Sequence, residues 1–360
     1  MKYLDEYRDK DLVEKISAKI RNVTTKPWTI MEVCGGQTHS IMKYSLLEYL
    51  PKEIDFVHGP GCPVCVTPIE LIDKAIAISL IKDVILTSYG DMLRVPGSEM
   101  DLFQAKAKGA DVRIVFSPLD AIKVAVDNPS RKVVFFAVGF ETTAPANAMA
   151  VVEAKRRNLS NFSLLAAHVL VPPAMEAILS SQNSRIQGFI AAGHVCTVMG
   201  YKQYFQIAQK YKVPIVIGGF EPVDLMDAVY QLICQLESGT YSVENAYSRV
   251  VTKDGNIHAQ KVLEDVFEIS DQNWRGIGLI PNSGFKINHS FEDFDAEKVF
   301  SLQNSKVSES PLCMAGEVLQ GHIKPTACKA FLNICTPENP LGAPMVSSEG
   351  ACAAYFHYHK

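Results

Sequence analysis

Seven of the nine cysteines in this chain fall into three groups whose spacing could do chemistry. The first group is Cys34-Gly35-Gly36-Gln37-Thr38-His39. Two glycines after a thiol let the backbone turn tightly and leave the sulfur exposed. Thr38 is expected to N-cap a helix running through Leu50. A thiol beside a helix N-terminus has its thiolate favoured by the dipole, which lowers its pKa. Thiolate is the form that binds metal or attacks. The plain alternative is a small buried cysteine in a turn.

The second group is Gly59-Pro60-Gly61-Cys62-Pro63-Val64-Cys65. This C-x-x-C spacing puts two sulfurs within reach of one metal or of each other. The prolines stiffen the loop and the glycines allow unusual dihedrals. Zinc sites usually pair two such motifs and here there is one, leaving redox work or a metal shared with Cys34. The third group is Cys313, Cys328, Cys335 and Cys352 in loop-rich sequence. It suggests a four-thiolate site, but the intervals match neither compact ferredoxin runs nor zinc knuckles. Thiolate softness allows zinc or an iron–sulfur cluster, and spacing does not choose between them.

Polar candidates are Glu141 with Thr142 and Thr143 after Gly139, His194 after Gly193, and Glu221 with Asp224 after Gly218-Gly219. They could be acid–base groups, partners that orient a metal ligand, or docking contacts. Thr142 or Thr143 could equally be a helix cap. Cys234 in an apolar helix is expected in the core, and Cys196 is given no role. His357 and His359 read as a tail.

Elements that could position these residues follow from the apolar pattern. Leu4, Tyr7, Leu12, Val13, Ile16 and Ile20 form a helical stripe. Expected strands cover 28–33, 54–57, 84–87, 112–116, 133–138, 164–169, 186–191 and 214–217. Amphipathic helices lie between most of them, at 69–80, 99–108, 119–126, 144–157 and 173–179. Lys155-Arg156-Arg157 falls where a helix should end. Doubly apolar strands alternating with helices imply parallel α/β layers. In such sheets ligands bind at the carboxyl ends of strands. Cys34, His58-to-Cys62, Gly139-to-Thr143 and Gly193-to-Cys196 all follow expected strands. The alternation fades after about residue 235. Beyond it, helices are expected at 244–250 and 259–267, followed by Gly-, Pro- and Ser-rich chain. A weaker boundary lies near 145–160.

Bulk properties narrow the class. The 360 residues suggest two or three domains, and 48% hydrophobic with 21% charged residues is ordinary globular usage. A net charge of -4 gives no basic field for a nucleic-acid backbone. No apolar run is long enough to span a bilayer, and the opening MKYLDEYRDK has no apolar signal core. A cytoplasmic protein is therefore expected, where cysteines serve metal or redox chemistry more than disulfides. There is no P-loop and no HExxH, and Gly276-Ile277-Gly278 does not extend to GxGxxG.

Taken together, CGGQTH at 34–39, GPGCPVC at 59–65, GFETTAP at 139–145, GHV at 193–195, GFEP at 219–222, WRGIGLIPNSG at 274–284 and the four late cysteines resemble the HypD family of hydrogenase maturation proteins, over nearly the full length. The resemblance implies that Cys313, Cys328, Cys335 and Cys352 ligate a [4Fe-4S] cluster. It implies that Cys34, Cys62 and Cys65 are the iron-site and redox thiols; Glu141 and His194 are kept as candidates for chemistry from their place after strand-end glycines. The family serves, with the small chaperone HypC, as scaffold for the Fe(CN)2CO group of [NiFe] hydrogenase, and HypE delivers cyanide. Mononuclear iron carrying CN and CO would then sit on Cys34. An assembly scaffold with redox activity is implied more than a conventional turnover enzyme. The alternatives are a cluster-dependent thiol–disulfide oxidoreductase and a binding module with structural zinc.

The implied fold is two parallel-sheet α/β lobes flanking a cleft, plus a third, mainly helical and loop-rich portion carrying the cluster. The expected divisions are an N-terminal helix and CGGQTH strand-loop at 1–53, a first lobe at 54–150, a second lobe at 151–235, and a cluster-binding portion at 236–360.

Overall fold

Short, doubly apolar runs make strands that are buried on both faces, and these strands build the protein. The computed structural model describes residues 5–302, 307 and 309–358. Its strands are β1 (Trp28–Glu32), β2 (Ile54–His58), β3 (Val84–Ser88), β4 (Asp111–Ile114), β5 (Lys132–Gly139), β6 (Phe162–Val169), β7 (Gly188–Ala192), β8 (Ile215–Gly218), β9 (Val243–Asn245), β10 (Phe267–Trp274) and β11 (Gly278–Ile287). All eight expected strands form, each within two residues of its expected ends. β3 and β7 are buried at every position, as helices on both faces require.

Two sheets result. One is fully parallel, in the order β2-β1-β7-β8-β9. The other runs β10-β11-β6-β5-β3-β4, parallel from β6 to β4 and antiparallel at β10 and β11. The α/β class with two mostly parallel sheets is as expected.

The pairing does not follow the chain divisions expected at 54 and 150. β2 pairs with β1 rather than with β3, and β6 pairs with β5 rather than with β7. The chain crosses between sheets after β2, after β6 and after β9. Local periodicity reports that a strand exists but not which strand it joins. The C-X-X-C loop lies on the first crossing.

The portion after residue 235 is largely helical pieces and loop, but it also contains three strands. It completes both sheets, with β9 in one and the β10–β11 hairpin in the other. The hairpin faces water at most positions, so it has no apolar run to announce it. The helix expected at 244–250 is β9 followed by turns. Asn245 accepts from the Tyr247 N–H and donates to Val251 O, which stabilises a turn instead. The helix expected at 259–267 does form, as Ile257–Val266.

The interleaved helices also form. The one expected at 99–108 starts at Leu102, because Asp101 and Gln104 make a reciprocal capping box. Helix Ala144–Arg156 ends at the basic residues. The N-terminal stripe becomes helix Lys10–Val23, capped by Asp9, while Leu4 lies outside the described residues. His357 is not in a loose tail but in the final helix Ala351–Tyr358, and His359 lies outside the described residues. No helix among the described residues is long and apolar enough to cross a membrane. One buried cluster joins the two sheets, running from Met31, Val33 and Val57 to Phe140 and Trp274. It contains Cys34, Cys62, Cys65 and Cys196.

Candidate metal centre

β1 delivers Cys34 one residue beyond Val33, and Cys34 is itself the extended N-cap of helix Gly35–Lys43. Thr38 is not the cap. It lies in the first turn, where its hydroxyl donates to Glu32 Oε1 at 2.5 Å. The helix stops at Lys43 and a separate turn, Leu46–Tyr49, follows Ser45 in the left-handed region. Glu32 is fully buried and organises the loop. Its Oε2 accepts the Cys34 N–H at 2.7 Å, and its Oε1 lies 2.7 Å from His58 Nδ1. A carboxylate there requires the proton on Nδ1. Gln37, also buried, donates to Gly218 O at 3.0 Å and ties the helix to the end of β8.

The C-X-X-C loop locks onto this one through its backbone. Gly59 N–H donates to Glu32 O at 2.8 Å, and Gly35 N–H donates to Gly61 O at 2.7 Å. A Cβ on Gly61 would stand 2.2 Å from Cys34 N and 2.4 Å from Val33 C, so only glycine permits this approach. Cys62 caps the short helix Pro63–Val66, which carries Cys65.

The thiols are not exposed. Cys34 keeps 8% of its surface, Cys62 3% and Cys65 none. Burial pushes the Cys34 thiol up to about 12, with the Glu32 carboxylate adding to the rise. Backbone N–H groups of Gln37 and Gly36 oppose this but do not overcome it. The expected low-pKa, exposed thiol is therefore corrected: desolvation outweighs the helix dipole. Cys65 is raised too, first by burial and then by Cys62 beside it. A buried thiol of this kind gives up its proton when a cation arrives to take the charge.

All four late cysteines line one otherwise apolar cavity, together with Met345 and Leu341. Cys352 opens the final helix, and Cys328 follows the turn Pro325–Ala327. Burial raises the Cys352 thiol, and Cys313, Cys335 and Cys328 are near enough to raise it further. The Leu341 N–H donates to Cys335 Sγ at 3.4 Å. Soft donors converging in an apolar cavity, with an amide aimed at one sulfur, suit a thiolate-ligated iron–sulfur cluster. Among the described residues, no three His, Cys, Asp or Glu groups already stand as a single-ion site.

The two cysteine groups adjoin. Cys352 and Glu349 both act electrostatically on Cys65. Glu349 also packs on the Cys34 loop, its Cβ 2.6 Å from where a Cβ on Gly35 would stand.

The polar candidates divide. The His194 ring stacks on Phe220 with centroids 3.6 Å apart and 15° between planes. Burial holds its pKa below the ordinary value. Phe220 in turn packs against Gly36, 3.2 Å from a Cβ position there, so His194 reaches the Cys34 loop through Phe220. Glu141 is buried away from this contact. Its Oε1 accepts the Val171 N–H at 3.0 Å, Oε2 has no hydrogen-bond partner, and burial raises its carboxyl to about 7. It borders a separate cavity of about 250 Å³ with Gln203, Phe267 and Asn282. Glu221 and Asp224 cap helix Pro222–Ser238 reciprocally, and they pair with Arg8 and Arg249. Thr143 caps helix Ala144–Arg156 by position, without a side-chain bond. Cys196 is buried against Tyr204, and Cys234 is half-buried on helix Pro222–Ser238.

Comparison with known proteins decides the family. The family model HypD, described as "Hydrogenase formation hypA family", matches residues 9–359. The chain belongs to the HypD family. It is 47% identical to Hydrogenase maturation factor HypD2 of Bradyrhizobium diazoefficiens, across 99% of this chain and 97% of that protein. It is 47% identical to Hydrogenase maturation factor HypD of Cupriavidus necator over the same shares. With the HypD of Escherichia coli it shares 44% identity across 100% of this chain and 99% of that one.

Sequence reasoning on this HypD-family chain missed Glu32 and Glu349, and it placed His58 at a strand exit without giving it a role. Glu32 had a signal: a carboxylate in the otherwise apolar strand WTIME. A charge in such a place is paired or functional. Glu349 had none, because only the fold brings residue 349 to residue 35.

Proposed function

We propose that this protein is a cytoplasmic hydrogenase maturation factor, a scaffold on which the Fe(CN)2CO group of [NiFe] hydrogenase is assembled. In this reading the iron is cargo. Cys34 holds it together with a thiol of a HypC-like small chaperone, and a HypE-like protein donates cyanide. The observation that carries the reading is the locked pair of loops. Backbone bonds and Gly61 fix Cys34 beside Cys62 and Cys65 in a buried site between the sheets. Such a site keeps water and oxygen from low-spin iron and gives it an electron-rich sulfur donor.

Cys313, Cys328, Cys335 and Cys352 would hold a [4Fe-4S] cluster. When bound, such a cluster supplies one-electron chemistry. Cys62 and Cys65 can store two electrons as a dithiol and release them, with two protons, on closing a disulfide. Helix Pro63–Val66, which carries Cys65, packs on the turn Ala343–Met345 beside the late-cysteine cavity, and this favours an electron-store role for the pair over a purely structural one. The alternative, a thiol–disulfide oxidoreductase acting on an external protein, fits less well. Thiolate exchange needs access, and both thiols are buried. Glu141 and His194 are kept as candidates for acid–base or positioning work around the cargo.

The test is anaerobic co-expression with the HypC-like partner and infrared spectroscopy of the purified complex. Cyanide and carbonyl stretching bands are expected in the wild type and absent in Cys34→Ala. Bands of full strength in Cys34→Ala would overturn the assignment of Cys34. Rapid reduction of a thioredoxin-like substrate without such bands would favour the oxidoreductase.

A further inference from the structure

The final helix carries Cys352 at its second residue and packs along helix Gly35–Lys43. Several contacts join the segment around it to the Cys34 loop. Glu349 packs on Gly35, and Ser348 O lies 3.2 Å from His39 Nδ1. The Tyr358 and His39 rings meet edge to face at 5.3 Å. Tyr355 meets His58 in the same way, with centroids 5.5 Å apart and planes at 80°. His58 is bonded to Glu32, and Glu32 accepts the Cys34 N–H. Tyr355 follows Cys352 by three positions, which puts both on one helix face. A buried path therefore runs from Cys352 through Tyr355, His58 and Glu32 to Cys34.

This path has a weak end. The final helix has eight residues, too few to be stable alone. Much of the chain before it, from Ser310 to Gly350, is turns and short helical pieces. Drawing four separated thiols to one centre closes those loops and pays for their order with binding energy. At the other end, Glu32 and His58 are a buried polar pair that tolerates little loosening, because water entering there competes for every bond.

We infer that Tyr355 and His58 are positioning residues that transmit order from the late-cysteine site to the Cys34 loop, so that engagement of the four late thiols steadies Cys34. The inference rests on the proposed cluster at those thiols. It assigns the late site a structural duty toward the iron-holding loop, separate from electron supply.

Hydrogen exchange of the full-length protein, followed by mass spectrometry under anaerobic conditions, tests it. The as-purified protein is compared with protein stripped by a chelator, with iron and sulfide assayed in each sample. Amides of 35–43 are expected to exchange roughly tenfold faster after stripping, while β3 and β5 stay unchanged. Metal-loaded Tyr355→Leu should exchange at 35–43 like the stripped wild type. Tyr355→Phe, which keeps the ring edge on His58, should behave like the loaded wild type. Absence of iron and sulfide from the purified protein would remove the cluster reading and this inference with it. With iron present and removable, unchanged exchange at 35–43 would overturn the inference alone. Equal loss of protection in the Leu and Phe variants would also overturn it, because the ring contact would not be the carrier.

Discussion

The two cysteine sites are built by opposite means. Cys34, Cys62 and Cys65 stand where strands β1 and β2 end, and main-chain bonds join their loops. Cys313, Cys328, Cys335 and Cys352 stand in turns and short helical pieces around a cavity, with few cross-bonds between them. The first site is preorganised by the fold. The second has its donors gathered around a cavity, and the proposed cluster would draw its loops tight. Under the proposed function, the difference would suit a site that accepts and releases iron beside one that keeps its metal. Cargo exchange needs geometry that survives without cargo, whereas a resident group can be part of its own support.

Glycine substitutions give the strongest way to break this comparison. In Gly61→Ala the new Cβ would meet main-chain atoms of Val33 and Cys34, at the end of a central strand. Neither can move without disturbing β1, so a loss of about 4 kcal/mol or more in urea unfolding is expected. In Gly342→Ala the Cβ would come within 2.4 Å of Cys313 Sγ, a side-chain atom that can rotate away. The metal-free protein should lose only about 1 kcal/mol. The purified protein should nevertheless lose most of its iron, because a rotated Cys313 no longer points into the cavity. Equal destabilisation of the metal-free protein by the two changes would erase the distinction.

Burial at a strand end of the second sheet, away from both cysteine sites, gives a second test. Glu141 lies in the second sheet's strand-end loop and has its carboxyl raised from 4.5 to about 7 by burial. The fold tolerates the protonated form better than the charged one. Its contribution to stability is therefore complete below 4.5 and is lost as pH rises through about 7. At about 1.4 kcal/mol per pH unit this amounts to about 3 kcal/mol. Glu141→Gln should flatten the stability profile across that window by roughly this amount, measured by urea unfolding at several pH values. An unchanged profile would mean that water reaches the carboxylate from the cavity it borders.

Local signals in the sequence reached as far as local physics reaches. Doubly apolar runs located β1 to β8, and the basic triplet at 155–157 marked a helix end. Motif order placed the thiols at strand exits, and the fold brings Cys34, Cys62 and Cys65 together there. Partner choice was not legible. β2 and β3 are both five-residue, mostly buried strands, yet one joins β1 and the other lies between β4 and β5. The β10–β11 hairpin was hidden because its polar, exposed residues resemble loop. The protonation state at Cys34 was misjudged for a related reason. The sequence shows a helix N-terminus beside the thiol, but not the protein that covers it. Glu349 and Tyr355 lie some 300 positions from the residues they touch, so only the fold could find them.

The smallest expected effect sharpens the comparison most finely, because it asks whether the first site is rigid beyond its backbone. Phe220 covers one face of His194, packs on Gly36, and meets Tyr247 edge to face at 6.0 Å. Loss of water on that face disfavours the charged imidazolium and lowers the His194 pKa. In Phe220→Leu a flat ring is replaced by a branched chain that covers less of the imidazole. Water then returns, the charged form is easier to make, and the pKa should rise toward its ordinary value. The stack itself is worth about 1 kcal/mol, so the fold should survive. An NMR titration of the ring protons, assigned by comparison with His194→Gln, reads the change directly. A pKa that stays depressed in Phe220→Leu would show that other groups desolvate His194. The aromatic link from His194 to Gly36 would then be packing alone and would add nothing to the order of the Cys34 loop beyond contact.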